Sequence, residues 1–171
     1  MATLPLNKPL FDALSKEACR VFPNEACGVI LGASDAPGSW VVHPLENIQD
    51  RLHKNEPTRF TRDATTAYAM NPLKVQRLID AAIDRGEALI AIFHSHPNHP
   101  SYFSETDKQA AMPFGTPTFP DAYQLVVSVY DGTTHDLKAF KWQSDTWTEA
   151  HVTGLPALPG PPPGARALGD V

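Results

Sequence analysis

Residues 94–107, HSHPNHPSYFSETD, crowd three histidines and two carboxylates into one short stretch directly after the apolar run ALIAIF. His94 and His96 lie two apart, so an extended backbone sends both imidazoles to the same side. Ser104 followed three residues later by Asp107 has the pattern of a helix N-terminus with a capping box, Asp standing in for the usual Glu. That pattern would hold Asp107 in a first helical turn. Two imidazoles and one positioned carboxylate are a ligand set suited to zinc, and three protein ligands leave a fourth position for water, as in catalytic sites. The same residues also fit a polar turn whose Asp merely faces a helix dipole. His99 competes as a ligand, and spacing alone does not separate it from the other two histidines.

The elements needed to position these groups can be read around them. Leu10, Leu14, Ala18 and Val21 recur at helical spacing and predict a first helix. ACGVILG reads as a buried strand, with SWVVHPL as its hairpin partner across ASDAPG. TRFTR reads as a short third strand. NPLKVQRLIDAAIDRG is the clearest helix, with Asn71 as N-cap, Pro72 in the first turn, and Gly86 as the stop. Its predicted apolar face is Val75, Ile79, Ala82 and Ile83. ALIAIFH is a central strand that delivers the histidines at its C-terminal end, where open sheets commonly present ligands. AYQLVVSVYDG, DLKAFKW and TWTEAHV form a closing meander around the turn Asp131-Gly132. The sum is an α/β (α+β) fold, a mixed and mostly antiparallel sheet flanked by helices.

Length and composition narrow the class. The 171 residues, 42% hydrophobic, suffice for one substantial core. A net charge of -5 argues against a nucleic-acid or anionic-membrane partner, which would call for a basic face. No signal-like or membrane-spanning stretch is visible. Two cysteines, Cys19 and Cys27, are too few for a disulfide framework, so the expected setting is cytoplasmic with reduced thiols. The last 18 residues, GLPALPGPPPGARALGDV, hold five of the 17 prolines and little that could be buried. They read as an extended or disordered tail at 154–171 appended to a domain at 1–153.

The run His94-Ser95-His96-Pro97, then Ser104 and Asp107, closely resembles the motif of the JAMM (MPN-plus, or JAB) family of zinc metalloproteases, in particular its small bacterial members. FPNEACGVILG supplies Glu25 where the family has a glutamate on an upstream strand, and the likeness covers about residues 9–142. The resemblance implies a JAB/MPN-like, cytidine-deaminase-like sandwich and one zinc ion held by His94, His96 and Asp107. It makes Glu25 the general base and Ser104 the contact to the substrate carbonyl. It also implies hydrolysis of a peptide or isopeptide bond after the C-terminal Gly-Gly of a ubiquitin-like or sulfur-carrier protein. A catalytically silent scaffold of the same fold is the alternative.

Around this motif, His99, Ser101, His43, His53, His135 and His151 read as loop, surface or strand residues. The loops NHPSYF and MPFGTPTFPDA are expected to line the approach to zinc. Their aromatics Tyr102, Phe103, Phe114 and Phe119 would either grip a substrate or pack the loops down; Tyr102 and Phe103 are the candidate substrate contacts. Cys27 shares a strand face with Glu25, so its thiol either points at the metal pocket or is a small core residue.

Overall fold

The computed structural model describes residues 1–166. Seven strands form one sheet in the order β1-β7-β6-β5-β4-β2-β3. They are β1 (Thr3–Pro5), β2 (Cys27–Gly32), β3 (Val41–Leu45), β4 (Ala88–Pro97), β5 (Tyr123–Tyr130), β6 (Thr133–Gln143) and β7 (Thr146–Thr153). Four helices accompany them: α1 (Lys8–Val21), α2 (Gln49–Asn55), α3 (Pro72–Asp84) and α4 (Glu105–Ala111). Only β1 with β7 and β4 with β5 pair in parallel, so the sheet is mixed and mostly antiparallel.

The two sheet faces are covered separately. On one, Leu10, Leu14 and Ala18 of α1 pack with Ile30, Phe93, Leu125 and Val127. On the other, Val75, Ile79 and Ala82 of α3 pack with Val29, Leu31 and Ile92. Strand alternation therefore decides where the chemistry sits. Phe93 goes into the α1 core, while Ile92, His94 and His96 share the α3 side.

Local sequence explains most of the helix boundaries. Asn7 caps α1 by accepting from Leu10 N, and Asn71 caps α3 by accepting from Leu73 N and Lys74 N. Gly28 is tightly enclosed in β2: a Cβ there would stand 2.4 Å from the His43 carbonyl oxygen and 2.6 Å from the Phe93 ring.

Four features depart from the sequence expectation. TRFTR is not a strand, because α2 side chains engage the backbone that a neighbouring strand would need. His53 Nδ1 bonds the Phe60 carbonyl at 2.6 Å, Gln49 Nε2 donates to the Arg62 carbonyl at 2.8 Å, and Ala64 N donates to Asp50 at 2.7 Å. Ile83 is 60% exposed, so the buried face of α3 is narrower than the periodicity suggests. Strand β1 and helix α2 have no counterpart in the sequence reading. The proline-rich segment does not leave the sheet at once: Leu155 and Leu158 pack against the α1 core, and Gly160 N donates to the His135 carbonyl at 2.8 Å. The rest of that segment, 167–171, lies outside the described residues.

Candidate metal centre

β4 carries the two histidines to the sheet surface beneath α4. The Nε2 atoms of His94 and His96 are 3.1 Å apart, and each is 3.3 Å from an oxygen of Asp107, Oδ1 for His94 and Oδ2 for His96. All three side chains are buried, His94 completely. Asp107 is fixed by the expected capping box: its N–H donates to Ser104 Oγ at 3.1 Å, and its Oδ2 accepts from Ser104 N at 2.9 Å. Ser104 Oγ also donates to that Oδ2, at 2.6 Å. The serine proton is thus engaged with Asp107 rather than pointing into free space.

The donor set fits a divalent cation. Zn–N and Zn–O bonds of about 2.0–2.1 Å around a tetrahedron imply ligand–ligand edges of roughly 3.3 Å, close to the spacing of the two Nε2 atoms and of each Nε2 from its own Asp107 oxygen. His96 Nδ1 lies 2.8 Å from the Pro100 carbonyl, which can only accept, so Nδ1 carries the proton and Nε2 offers its lone pair. His94 Nδ1 is buried with no hydrogen-bond partner. Its ring is held instead by Tyr68, stacked at 4.5 Å between centroids and 19° between planes. Among the described residues, His94, His96 and Asp107 are the one group of three His, Cys, Asp or Glu side chains able to converge on an ion. His99 is not part of it. Its carbonyl accepts from Ser128 Oγ at 2.6 Å, and Ser101 bonds Asp136 across the loop.

Glu25 lies at the end of the turn before β2, 4% exposed, with its Oε2 buried and unpartnered. Burial pushes its carboxyl up to about 8, with the Asp107 charge adding and His96 and Arg62 opposing. Asp107 behaves in the opposite way. Burial disfavours its charge, but His94 and His96 outweigh that and hold it well below the usual carboxylate range. Cys27 faces the same side as Glu25 but lies outside the ligand group; its Sγ is 3.6 Å from the Leu45 carbonyl. Burial, then Glu25 and Glu17, raise the thiol to about 12, so it stays protonated and is no thiolate ligand.

Of the loop aromatics, Tyr102 meets His96 edge-on at 5.0 Å. Phe103 is buried in the sheet, stacked on Phe140 at 5.4 Å and edge-on to Trp147 at 5.1 Å, so it anchors the loop rather than facing a ligand.

Two supporting residues, Ser95 and Asn47, were given no role by the sequence. Ser95, on the face opposite the histidines, accepts from Ala26 N at 2.7 Å and so ties the Glu25 turn to β4. Asn47 donates to the carbonyls of Glu25 and Ala67 and accepts from Gln49 N and Ala69 N, joining the Glu25 turn to the segment that carries Tyr68. Apart from the local bond to Gln49, these contacts span 20 to 69 residues, and no spacing rule finds them.

Residues 7–143 match the family described as prokaryotic homologs of the JAB domain. The chain belongs to the JAB family. JAB proteins of this kind are metal-dependent peptidases, and the chain is a JAMM-type metallopeptidase by that membership. It is 31% identical over 151 residues to the CysO-cysteine peptidase of Mycobacterium tuberculosis, covering 87% of this chain and 89% of that protein. It is 27% identical over 130 residues to the desampylase of Haloferax volcanii, covering 76% and 78%. A solution structure from Desulfitobacterium hafniense shares the fold, with a TM-score of 0.65 at 23% identity, covering 92% of this chain and 95% of the other. The matched span contains the HSHP segment, the Ser104–Asp107 helix start and the glutamate turn.

Proposed function

We propose that this JAB protein hydrolyses the amide bond after the C-terminal Gly-Gly of a ubiquitin-like or sulfur-carrier protein, with zinc as its metal. The observation that carries the reading is the buried His94–His96–Asp107 group, with a buried Glu25 carboxyl near enough to interact electrostatically with His96 and Asp107. Kinship with a CysO-cysteine peptidase and a desampylase supports the substrate class. We also take residues 1–153 as the catalytic domain, with 154–171 appended to it.

His94 Nε2, His96 Nε2 and Asp107 would hold zinc, which when bound makes water acidic near neutral pH and polarises the scissile carbonyl. Glu25 removes a proton from the attacking water and returns it to the departing amine, so the C–N bond breaks without expelling an amide anion. Its raised pKa suits the return of the proton, and a bound cation would favour the ionised form that takes the proton up. Ser104 Oγ–H turns from Asp107 toward the carbonyl oxygen as negative charge develops there. Pro100 keeps His96 in the tautomer that leaves Nε2 free.

Glu25→Gln should stay folded and metal-loaded while cleavage falls roughly 10²–10⁴-fold, the usual worth of a positioned acid–base group. His94→Ala and Asp107→Ala should lose the metal, because two protein ligands rarely retain zinc. Metal content measured beside cleavage of a Gly-Gly carrier separates these roles. A Glu25→Gln protein empty of metal would make Glu25 a ligand and overturn the assignment.

A further inference from the structure

A cavity of about 630 Å³ opens beside the metal centre, between α3, α4 and the loop 112–119. Its lining includes Ile92 and Gln124, which pair in register across β4 and β5. Ile92 lies two residues before His94 on the same face, about 7 Å along the strand. Tyr68, stacked on His94, also lines the cavity, and Val75 and Phe119 add apolar surface. Two further features mark it as a binding site rather than a packing gap. Gln124 is 3% exposed, yet its Oε1 has no hydrogen-bond partner among the described residues. Phe114, in the covering loop, presents a phenyl ring that is 94% exposed. A buried carbonyl without a donor is uncommon in a folded core and calls for an explanation.

We propose that this cavity receives the side chain of the residue whose amine is released, that it selects an apolar side chain of leucine to phenylalanine size, and that Gln124 Oε1 accepts a backbone N–H from the same released segment. The assignment rests on the Gly-Gly reading above. Two glycines before the scissile bond bring no side chain near the metal ligands, and the residue before them sits roughly 10 Å back along an extended chain. The side chain just after the bond is the one nearest the metal ligands, and the cavity begins about one strand repeat from His94. Hydrolysis is the same for every released residue: water gives its hydroxyl to the glycine carbonyl carbon and its proton to the amine. The cavity therefore acts on selection, through burial of apolar surface and one satisfied acceptor.

The test offers the full-length, metal-loaded protein carriers ending in Gly-Gly-X followed by two serines, with X as Leu, Phe, Ser or Asp. A roughly ten- to hundred-fold higher kcat/KM for Leu and Phe over Ser and Asp is expected from burying one such side chain. Gln76→Trp, an exposed α3 residue that lines the cavity, should shrink that ratio several-fold, and Gln124→Leu should lower kcat/KM for the Leu carrier. Equal cleavage across X, a preference for Asp or Ser, or a ratio unmoved by Gln76→Trp overturns the subsite. A parallel series with the last glycine replaced by leucine isolates the Gly-Gly reading, which fails if that series is cleaved equally well. If no carrier is cleaved, the side-chain amide resonance of Gln124 still decides. It should shift on adding the Leu peptide and stay put with the Ser peptide; equal response to both refutes the proposal.

Discussion

The carboxyl of Glu25 makes the metal-stripped protein a measurable test of how the site is built. Burial raises this group from 4.5 to about 8. A carboxyl whose folded pKa lies above its unfolded value stabilises the fold while protonated and loses that contribution as pH climbs from the lower value through the higher. One pKa unit corresponds to about 1.4 kcal/mol, so ionisation at pH 7 costs about 3 kcal/mol of folding stability relative to pH 4, and about 5 kcal/mol is lost by pH 9. Glu25→Gln keeps the shape and cannot ionise. In chelator-treated samples the variant should therefore melt above the parent, the gap opening from near zero at pH 4.5 to roughly 10 °C at pH 7, given 2–4 °C per kcal/mol in a chain of this size. Thermal unfolding of both proteins across pH 4.5–8.5 reads it directly. Restoring metal should narrow the gap, since a cation favours the ionised carboxyl. A pH-independent difference between the two melting curves would show that Glu25 does not bear this desolvation cost, and the argument for its raised pKa would fail.

Two other substitutions probe the surroundings of the ligands. Tyr68→Ala should weaken metal retention against a competing chelator roughly tenfold, while Tyr68→Phe keeps it, because the ring against His94 is what orients a ligand with an unbonded Nδ1. Loss of affinity in Tyr68→Phe as well would shift the role to the hydroxyl. Cys27→Ser should match the parent in activity and in sensitivity to peroxide, since a buried thiol held near 12 offers little thiolate to either metal or oxidant; a peroxide-resistant variant would contradict this.

The parts of the site written in adjacent residues were legible in the sequence. Alternation along β4 puts His94 and His96 on one face, and the capping box places Asp107, because each rule acts within a few residues. The same holds for α3, whose N-cap and apolar repeats lie inside the helix itself. Glu25 is different. Nothing in its own neighbourhood marks it, and only family likeness singled it out, since it is positioned by Ser95 and Asn47 from elsewhere in the chain. TRFTR shows the reverse error: a stretch read as a short strand is overruled when α2 side chains take its backbone groups. Strand β1 is three residues long and ends in proline, too short for any period to appear. Phe103 looked as available to substrate as Tyr102, and only the stack on Phe140 separates them.

The pairing of β1 with β7 also sets an order on biosynthesis. Thr3, Leu4 and Pro5 leave the ribosome before the rest of the sheet, yet their partners are His151, Val152 and Thr153. At about 5–20 residues per second, the first strand waits on the order of ten seconds for its neighbour to be made. The ladder of β3, β2, β4 and β5, which bears His94 and His96, needs no residue beyond 130. The half of the sheet that carries the chemistry can therefore assemble while the other half is still being translated. The backbone of β1 finds its partner only when β7 arrives, which leaves the segment that carries the buried Leu4 open to mispairing until then.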